Sequence, residues 1–272
     1  PTGIRSTTEI LKEGPADLGA TTFASDCLRA GDKSMMLELV EAVGVPIPRT
    51  WTDREVVPDS VERVFYKESH EQGGGRRGVL EAGSDLGNGQ NLIFQEYVDS
   101  SGTYGVAFIA HQGTVLEHQA HFERFSSPWT GGSAVLIEAI DDPQLLHFTE
   151  AIVSALDYSG WGLAEFKWSP ERGEYVFMEV NSKLWASCEF TFRSNPNFLE
   201  LVIQARIDPG TKPRAMLFVH RLLALSAFNI MRTLGHAIRG RWVIYPGALR
   251  SFILARLPRG AATLLRSRIK SR

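Results

Sequence analysis

The sequence predicts an α+β fold in which antiparallel hairpins outnumber helices. Three observations lead there. Runs with strand-like alternation follow one another through tight turns: 103–111 and 114–122 across Gln112-Gly113, then 162–168 and 175–183 across Pro170-Glu-Arg-Gly173. Only a few segments, chiefly 33–43 and 143–158, carry a helical stripe. No regular alternation of strand and helix builds a doubly wound parallel sheet. The 272 residues suffice for one large domain or two small ones with ample core.

Taken in order, residues 1–30 are polar and Gly/Thr-rich, and read as a loose arm or partial strand. Their start, Pro-Thr-Gly-Ile-Arg-Ser, has no apolar h-region, so no signal peptide is expected. Asp32 is placed to cap a helix over 33–43, with Met36, Leu39, Val40 and Val43 as its stripe and Gly44 as its end. Val45-Pro-Ile-Pro-Arg-Thr-Trp51 is an extended connector. Residues 61–67 read as a strand, 71–78 as a Gly-rich loop, 79–81 as a returning strand and 91–98 as a buried strand. After the 103–122 hairpin, 126–132 is a loop. Leu145, Leu146, Phe148, Ile152, Val153 and Leu156 face inward from the helix over 143–158. Residues 184–192 and 196–207 close this part as helices. Trp161, Phe166, Trp168 and Trp185 are expected in the core.

The formal charge of −2 conceals a sharp division. Residues 1–211 hold 16 Lys and Arg against 31 Asp and Glu, whereas 212–272 hold 13 Lys and Arg and no acid. The boundary falls in Asp208-Pro-Gly-Thr-Lys-Pro213, a turn or linker. Cys27 and Cys188 lie far apart without metal-like spacing and are expected to be reduced thiols. His118 and His121, three apart in a strand, face opposite sides and read as ordinary polar residues.

The hairpin near residue 170 carries the chemistry. Alternation puts Glu179 and Asn181 on one strand face, and the turn can set Glu165 beside them. Two carboxylates and an amide oxygen, with no Cys or His nearby, are hard oxygen ligands suited to Mg²⁺ shared with nucleotide phosphates. Taken alone, the same residues also fit a solvated edge hairpin.

The order of several motifs resembles the ATP-grasp superfamily, in its carboxylate–amine ligase or carbamoyl-phosphate-synthase-like branch. The motifs are Asp32-Lys33 opening a helix that leads to Gly44-Val-Pro-Ile-Pro-Arg-Thr50; Lys67 at a strand end before Gly73-Gly-Gly-Arg-Arg-Gly78; Gln95-Glu-Tyr-Val98; Phe122-Glu-Arg124; Trp129-Thr-Gly-Gly132; Glu165-Phe-Lys; and Met178-Glu-Val-Asn-Ser-Lys183. The match covers roughly residues 26–206. The resemblance implies two α+β subdomains clasping ATP between antiparallel sheets; the stretch after it reads, from its charge and apolar pattern, as a basic, mainly helical C-terminal extension. The expected division is an arm over 1–30, an N-terminal subdomain over 31–98, a C-terminal subdomain over 99–210 and the extension over 211–272.

By that resemblance, Lys33 and Lys67 place positive charge on the nucleotide phosphates. Gly73, Gly74, Gly75 and Gly78 let backbone N–H groups close over them. Gln95, Glu96, Tyr97 and Val98 form a hinge that reads the adenine, with Glu96 or Asp99 on the ribose. Glu165, Glu179 and Asn181 hold one or two Mg²⁺, and Arg124 and Lys183 steady the transferred phosphoryl group. The implied activity is activation of a substrate carboxylate as an acyl phosphate for attack by an amine or similar nucleophile. A small-molecule kinase and a catalytically silent ATP-binding scaffold are the alternatives. Lys183 stands where many relatives carry Arg, and Glu68 where Pro is usual. The family's preceding α/β domain, which helps form the acceptor site, has only about 30 residues to correspond to it here.

The C-terminal stretch holds an apolar run, 215–231, interrupted by Arg221 and short for a membrane span. Residues 248–272 alternate Leu, Ile and Phe with Arg, as an interfacial helix on anionic lipid does. An anionic membrane surface, a helical lid docked on the acidic body, or a second subunit are the partners considered. Nucleic acid is not expected, for want of a recognised motif. The location implied is cytoplasmic, with attachment to the inner face of the membrane as an extension.

Overall fold

The computed structural model describes residues 29–51, 57–58, 60–69, 76–81, 91–127, 133–182, 185–203, 215–237 and 243–244. Helix α1 (Lys33–Ala42) begins where Asp32 accepts hydrogen bonds from the Ser34 and Met35 amides, both at 3.1 Å. It ends at Val43, and Gly44 follows at φ +76°, a left-handed step that glycine takes without strain. Its buried side chains are Met36, Leu37 and Val40; Val43, expected inside, is exposed because the helix stops just before it.

The first sheet has order β1-β4-β2-β3, from β1 (Thr50–Trp51), β2 (Arg63–Glu68), β3 (Arg77–Glu81) and β4 (Leu92–Glu96), all antiparallel. Gly78, expected in a flexible loop, is a strand residue opposite Tyr66. A Cβ there would come within 2.9 Å of the Tyr66 hydroxyl, so the ring needs a glycine beneath it.

The second sheet has seven strands in the order β11-β10-β7-β6-β5-β8-β9. Its members are β5 (Thr103–His111), β6 (Thr114–Ser127), β7 (Ser133–Ala139), β8 (Gly160–Ser169), β9 (Glu174–Asn181), β10 (Ala215–Leu217) and β11 (Val243–Ile244). Pairing is antiparallel except between β10 and β11. Strand β7 went unread in the sequence. Strand β6 runs five residues beyond its expected end, to Ser127, because it pairs with β7 through two irregularities that realign it past Glu123.

One face of this sheet (Val106, Phe108, Ala120, Ala164, Phe166, Phe177, Val180) is buried under α1 and α2 (Pro143–Ala155). The other carries Ala107, Ile109 and Leu163 under Trp185 and Phe198, the latter from α4 (Pro196–Ile203); α3 (Cys188–Ser194) precedes it. Trp185 and Phe166 are buried as expected, while Trp161 and Trp168 are half-buried. Cys188 is a free thiol whose pKa burial raises; Cys27 lies outside the described residues.

The apolar run 215–231 is not one helix. It divides into β10, α5 (Val219–Leu222) and the start of α6 (Ala227–Ala237). Residues 215–217 pair between β7 and β11, and Arg221 donates to the carbonyls of Ala134 (2.7 Å) and Ala186 (2.8 Å). The sheet therefore continues past residue 210, so the C-terminal extension supplies strands as well as helices. Among the described residues, no helix is long and apolar enough to cross a membrane. Residues 248–272 lie outside the described residues.

Candidate nucleotide and metal site

Strand register assembles the central group. Glu165 on β8 is the direct partner of Glu179 on β9, and Asn181 follows two residues on, on the same face. The Asn181 Nδ2 donates to Glu165 Oε2 (2.9 Å) and to Glu179 Oε1 (3.0 Å). Both carboxylates keep some solvent contact, yet protein surrounds them closely enough that burial is the largest influence on each. Glu165 is pushed well above the ordinary carboxylate value of 4.5 by burial, then by the charges of Glu179 and Glu123. Glu179 goes the other way. Burial opposes its ionisation, but the nearby charges of Lys67 and Lys33 and its hydrogen bonds hold it below 4.5.

Lys67 reaches this group from the first sheet and Lys33 from the start of α1. Lys67, on β2 and 5 % exposed, donates from Nζ to the Met178 carbonyl (3.3 Å). Met178 is the extra residue of a bulge, because Glu179 pairs with Glu165 while Phe177 pairs with Phe166. The bulge turns one β9 carbonyl towards the first sheet. Lys33, first residue of α1, donates to the Glu68 carbonyl (3.3 Å). Glu68 in turn accepts from the Arg76 amide (3.1 Å), which fixes the start of β3 beside the end of β2.

The segment joining the sheets is divided in its commitments. Gln95 is fully buried, paired on both sides within the first sheet, with Nε2 on Thr50 Oγ1 (3.1 Å). Glu96 is held by Arg49 (2.6 Å) and by Arg172 (2.8 Å) from the β8–β9 turn. Burial would raise its pKa, but the two guanidiniums bring it below the usual value. Its amide donates to the Arg49 carbonyl (2.9 Å). Glu96 thus ties the two sheets together instead of standing open to a ribose. Tyr97, Val98 and Asp99 lie beyond the strand; Arg63 sits over the Tyr97 ring and 3.3 Å from Asp99, whose carboxylate is exposed.

Arg124 does not join the carboxylates. It is the irregular residue of β6, forked onto Glu138 (2.7 and 3.0 Å) and lying over the Phe122 ring. Phe122 pairs with Tyr104, and Tyr104 with Phe166, which places Arg124 on the sheet face opposite Glu165 and Glu179. Simple alternation from Phe122 puts it there, two residues on and on the same face as Glu138, which pairs with Phe122. Gly73, Gly74, Gly75 and Lys183 lie outside the described residues.

Three residues at this site were given no role in the sequence reading. Lys167, two residues beyond Glu165 and on its face, is half-buried; burial lowers its pKa against the charges of Glu165 and Asp99. Alternation alone could have found it. His121 and Glu123 required the register: His121 and Glu165 both pair with Gly105, from opposite sides. Glu179, Glu165, Gly105 and His121 therefore form one row across four strands. His121 is 1 % exposed, makes no hydrogen bond through either ring nitrogen, and lies 3.8 Å from Glu123. The Ser187 hydroxyl donates to that same Glu123 carboxylate (3.3 Å).

Among the described residues, no cluster of three or more His, Cys, Asp and Glu is arranged to hold a metal. What stands here is two carboxylates and an amide, with the acids' charges opposed by two lysines. That set fits a hard cation delivered with an anionic ligand, and it does not fit zinc or another soft metal.

No family model matches this sequence, and no curated protein matches it. Solved structures do. A pyruvate carboxylase from Rhizobium etli superposes with a TM-score of 0.58 at 18% identity, covering 71% of this chain and 19% of that one. A biotin carboxylase from Campylobacter jejuni, solved as a β,γ-ATP complex, gives 0.57 at 14% identity, covering 77% and 53%. An L-amino acid ligase from Bacillus licheniformis gives 0.54 at 14% identity, covering 74% and 52%. The chain spans about half the length of the last two and a fifth of the first. These solved proteins are ATP-grasp enzymes, and the α+β chain with its two antiparallel sheets has the ATP-grasp fold that its motif order resembles.

Proposed function

We propose that this chain is a Mg²⁺–ATP-dependent ligase that joins a carboxylate to an amine or similar nucleophile. The observation that carries the reading is the Glu165–Glu179–Asn181 group with Lys67 and Lys33 beside it. A substrate carboxylate oxygen attacks the γ-phosphorus, the bond to the β-phosphate oxygen breaks, and ADP leaves. The nucleophile then displaces phosphate from the acyl carbon and loses a proton.

Glu165, Glu179 and Asn181 would hold the metal, which supplies positive charge to the β- and γ-phosphate oxygens. Lys67 from the first sheet and Lys33 from the start of α1 neutralise phosphate oxygens and, with no ligand, offset Glu179. A cation held there would oppose the rise that burial and the Glu179 charge impose on the Glu165 pKa. Because Glu96 is engaged by two arginines, Asp99 is the acid left to meet the ribose, with Tyr97 and Val98 lining the base. Gly73, Gly74 and Gly75 over the phosphates and Lys183 on the transferred phosphoryl group complete the proposal. The work is positioning and charge stabilisation, as in phosphoryl transfer generally.

The test is a thermal-shift titration with ATP, with and without Mg²⁺, on the wild type and on Glu179→Ala/Asn181→Ala. The reading expects a Mg²⁺-dependent rise that the double variant loses; no rise under any condition overturns it. With carboxylates and amines then supplied, release of ADP together with phosphate marks a ligase, and ADP without phosphate a kinase.

A further inference from the structure

The row that begins at Glu179 and Glu165 ends at two polar side chains that the proposed reaction leaves without a role. Two strands beyond Glu165, about 10 Å along the row, stands His121, buried and without a hydrogen bond on either ring nitrogen. Its ring stands edge-on to Phe190 of α3, with 6.2 Å between the ring centres. Its Nε2 lies over Gly105, where a Cβ would come within 2.5 Å of it, so the imidazole reaches back along the row towards Glu165. Glu123, two residues on and on the same face, has Oε1 3.8 Å from that nitrogen. The buried Ser187 hydroxyl donates to Oε1 (3.3 Å), while Oε2 receives no hydrogen bond from a described residue. Polar atoms enclosed without partners are costly, and a ligand that supplies the partners removes the cost.

The chemistry of the pair selects the ligand. A neutral imidazole offers one acceptor nitrogen, and a carboxylate offers acceptors with negative charge. The Glu123 charge is felt as far as Glu165 and repels an anion from this end of the row. The lysines that suit an anion, Lys67 and Lys33, act on Glu179 at the other end. A metal is not served either, because among the described residues no His, Cys, Asp and Glu cluster is arranged to hold one. A hydroxyl brings one proton and no charge, and leaves one of the two side chains unmet. A primary ammonium group brings three N–H donors and the charge that Glu123 opposes. Arg221 lies near enough to Glu123 for their charges to interact, but its N–H groups go to the Ala134 and Ala186 carbonyls and leave the acceptors open. Building on the ligase reading, we propose that Glu123 and His121 form the subsite of the nucleophile, and that this nucleophile is a primary amine recognised as its ammonium ion. The row then has the order of the reaction: phosphate at Lys67 and Lys33, metal at Glu179 and Glu165, amine at His121 and Glu123.

The test reads binding and needs no turnover. The full chain, labelled with ¹⁵N in its histidine rings, is titrated by NMR with ethylammonium chloride, and separately with ethanol and with sodium chloride at matched concentration. The His121 signals are those missing from a His121→Gln variant. The expected result is a saturable shift of the His121 ring with ethylammonium and none with ethanol or sodium. Glu123→Gln keeps the shape of the side chain and the oxygen that Ser187 meets, and retention of the wild-type circular dichroism confirms its fold. It should bind ethylammonium more weakly by roughly tenfold or more, as loss of one charged hydrogen bond requires. An equal shift with ethanol, no shift with ethylammonium, or equal affinity in wild type and Glu123→Gln each overturns the proposal. The thermal shift with Mg²⁺ and ATP, measured on the same samples, separates this result from the ligase reading. A nucleotide shift without an amine response overturns the subsite alone. An amine response without a nucleotide shift upholds a cation subsite and overturns its assignment to the nucleophile of a ligase.

Discussion

Glu165 and Glu179 are direct cross-strand partners, and their carboxyls titrate in opposite directions. The asymmetry has a geometric source. Lys67 and Lys33 reach the group from the β9 side, so Glu179 takes most of their charge. Glu165, one strand further in, faces Glu123 and the buried end of the row.

The raised Glu165 fixes a sign for the pH dependence. Its folded form binds a proton that the unfolded form, near 4.5, has released. Folded protein thus holds more protons above pH 4.5, and stability contributed at this site falls as pH rises towards the folded value. Glu165→Gln removes that fall, so the ligand-free variant loses less stability than the wild type between acid and alkaline pH. It also loses the Mg²⁺-dependent thermal shift with ATP. Urea midpoints across the pH range check the first outcome, and a variant that follows the wild-type curve refutes it.

Lys67→Met removes the charge nearest Glu179 and the hydrogen bond to Met178. A charged hydrogen bond to phosphate contributes about 2 kcal/mol, roughly thirtyfold in Kd. Calorimetric titration with Mg²⁺–ATP should show a loss of that order. A loss confined to twofold would place the lysine outside the nucleotide's reach.

Gly105 is small because His121 lies across it. A Cβ on residue 105 would stand 2.5 Å from the His121 Nε2 and 3.0 Å from the Leu163 Cδ1. Gly105→Ala should therefore cost about 1–3 kcal/mol. His121→Ala in the same chain should recover most of it, because the clash is with the ring. Additive losses in the double-mutant cycle would mean that the backbone, and not the imidazole, demands the glycine.

Arg172 links the β8–β9 turn to Glu96 and to the Ile47 carbonyl (2.9 Å). Glu96 has a depressed pKa, so the stability it contributes is present above its unfolded value and is lost as pH falls through the folded one. Arg172→Ala should bring Glu96 back towards 4.5 and shrink that acid-side loss. Because the guanidinium is partly solvated, the cost at neutral pH should be only about 1 kcal/mol. Matching acid-denaturation profiles for wild type and variant would refute the link.

Much of the candidate site was legible because period-two alternation is a local property. Glu179 with Asn181, and Glu165 opposite across a short turn, follow from the spacing of the residues and the Gly173 turn at φ +66°. Asp32 as a cap and Gly44 as a stop follow equally from local chemistry. The errors fall where one residue of register decides the face. Arg124 was expected with the phosphoryl group, but alternation from Phe122, which pairs with Tyr104 and Glu138, sets it on Glu138 on the far side, and that face needed the pairing of β6 with β5 to be known. Glu96 or Asp99 was expected at a ribose, and an arginine from a turn 76 residues away engages Glu96.

The sequence by itself determined the α+β class, the hairpins and the set of oxygen donors, because each depends on residues within a strand or a turn of one another. Only the tertiary structure decided that His121 completes the Glu165 row, that residues 215–217 belong to the sheet and that α6 turns Phe228 and Met231 outward. Those outcomes come from strand order and packing between distant segments, and no local period encodes which strands become neighbours.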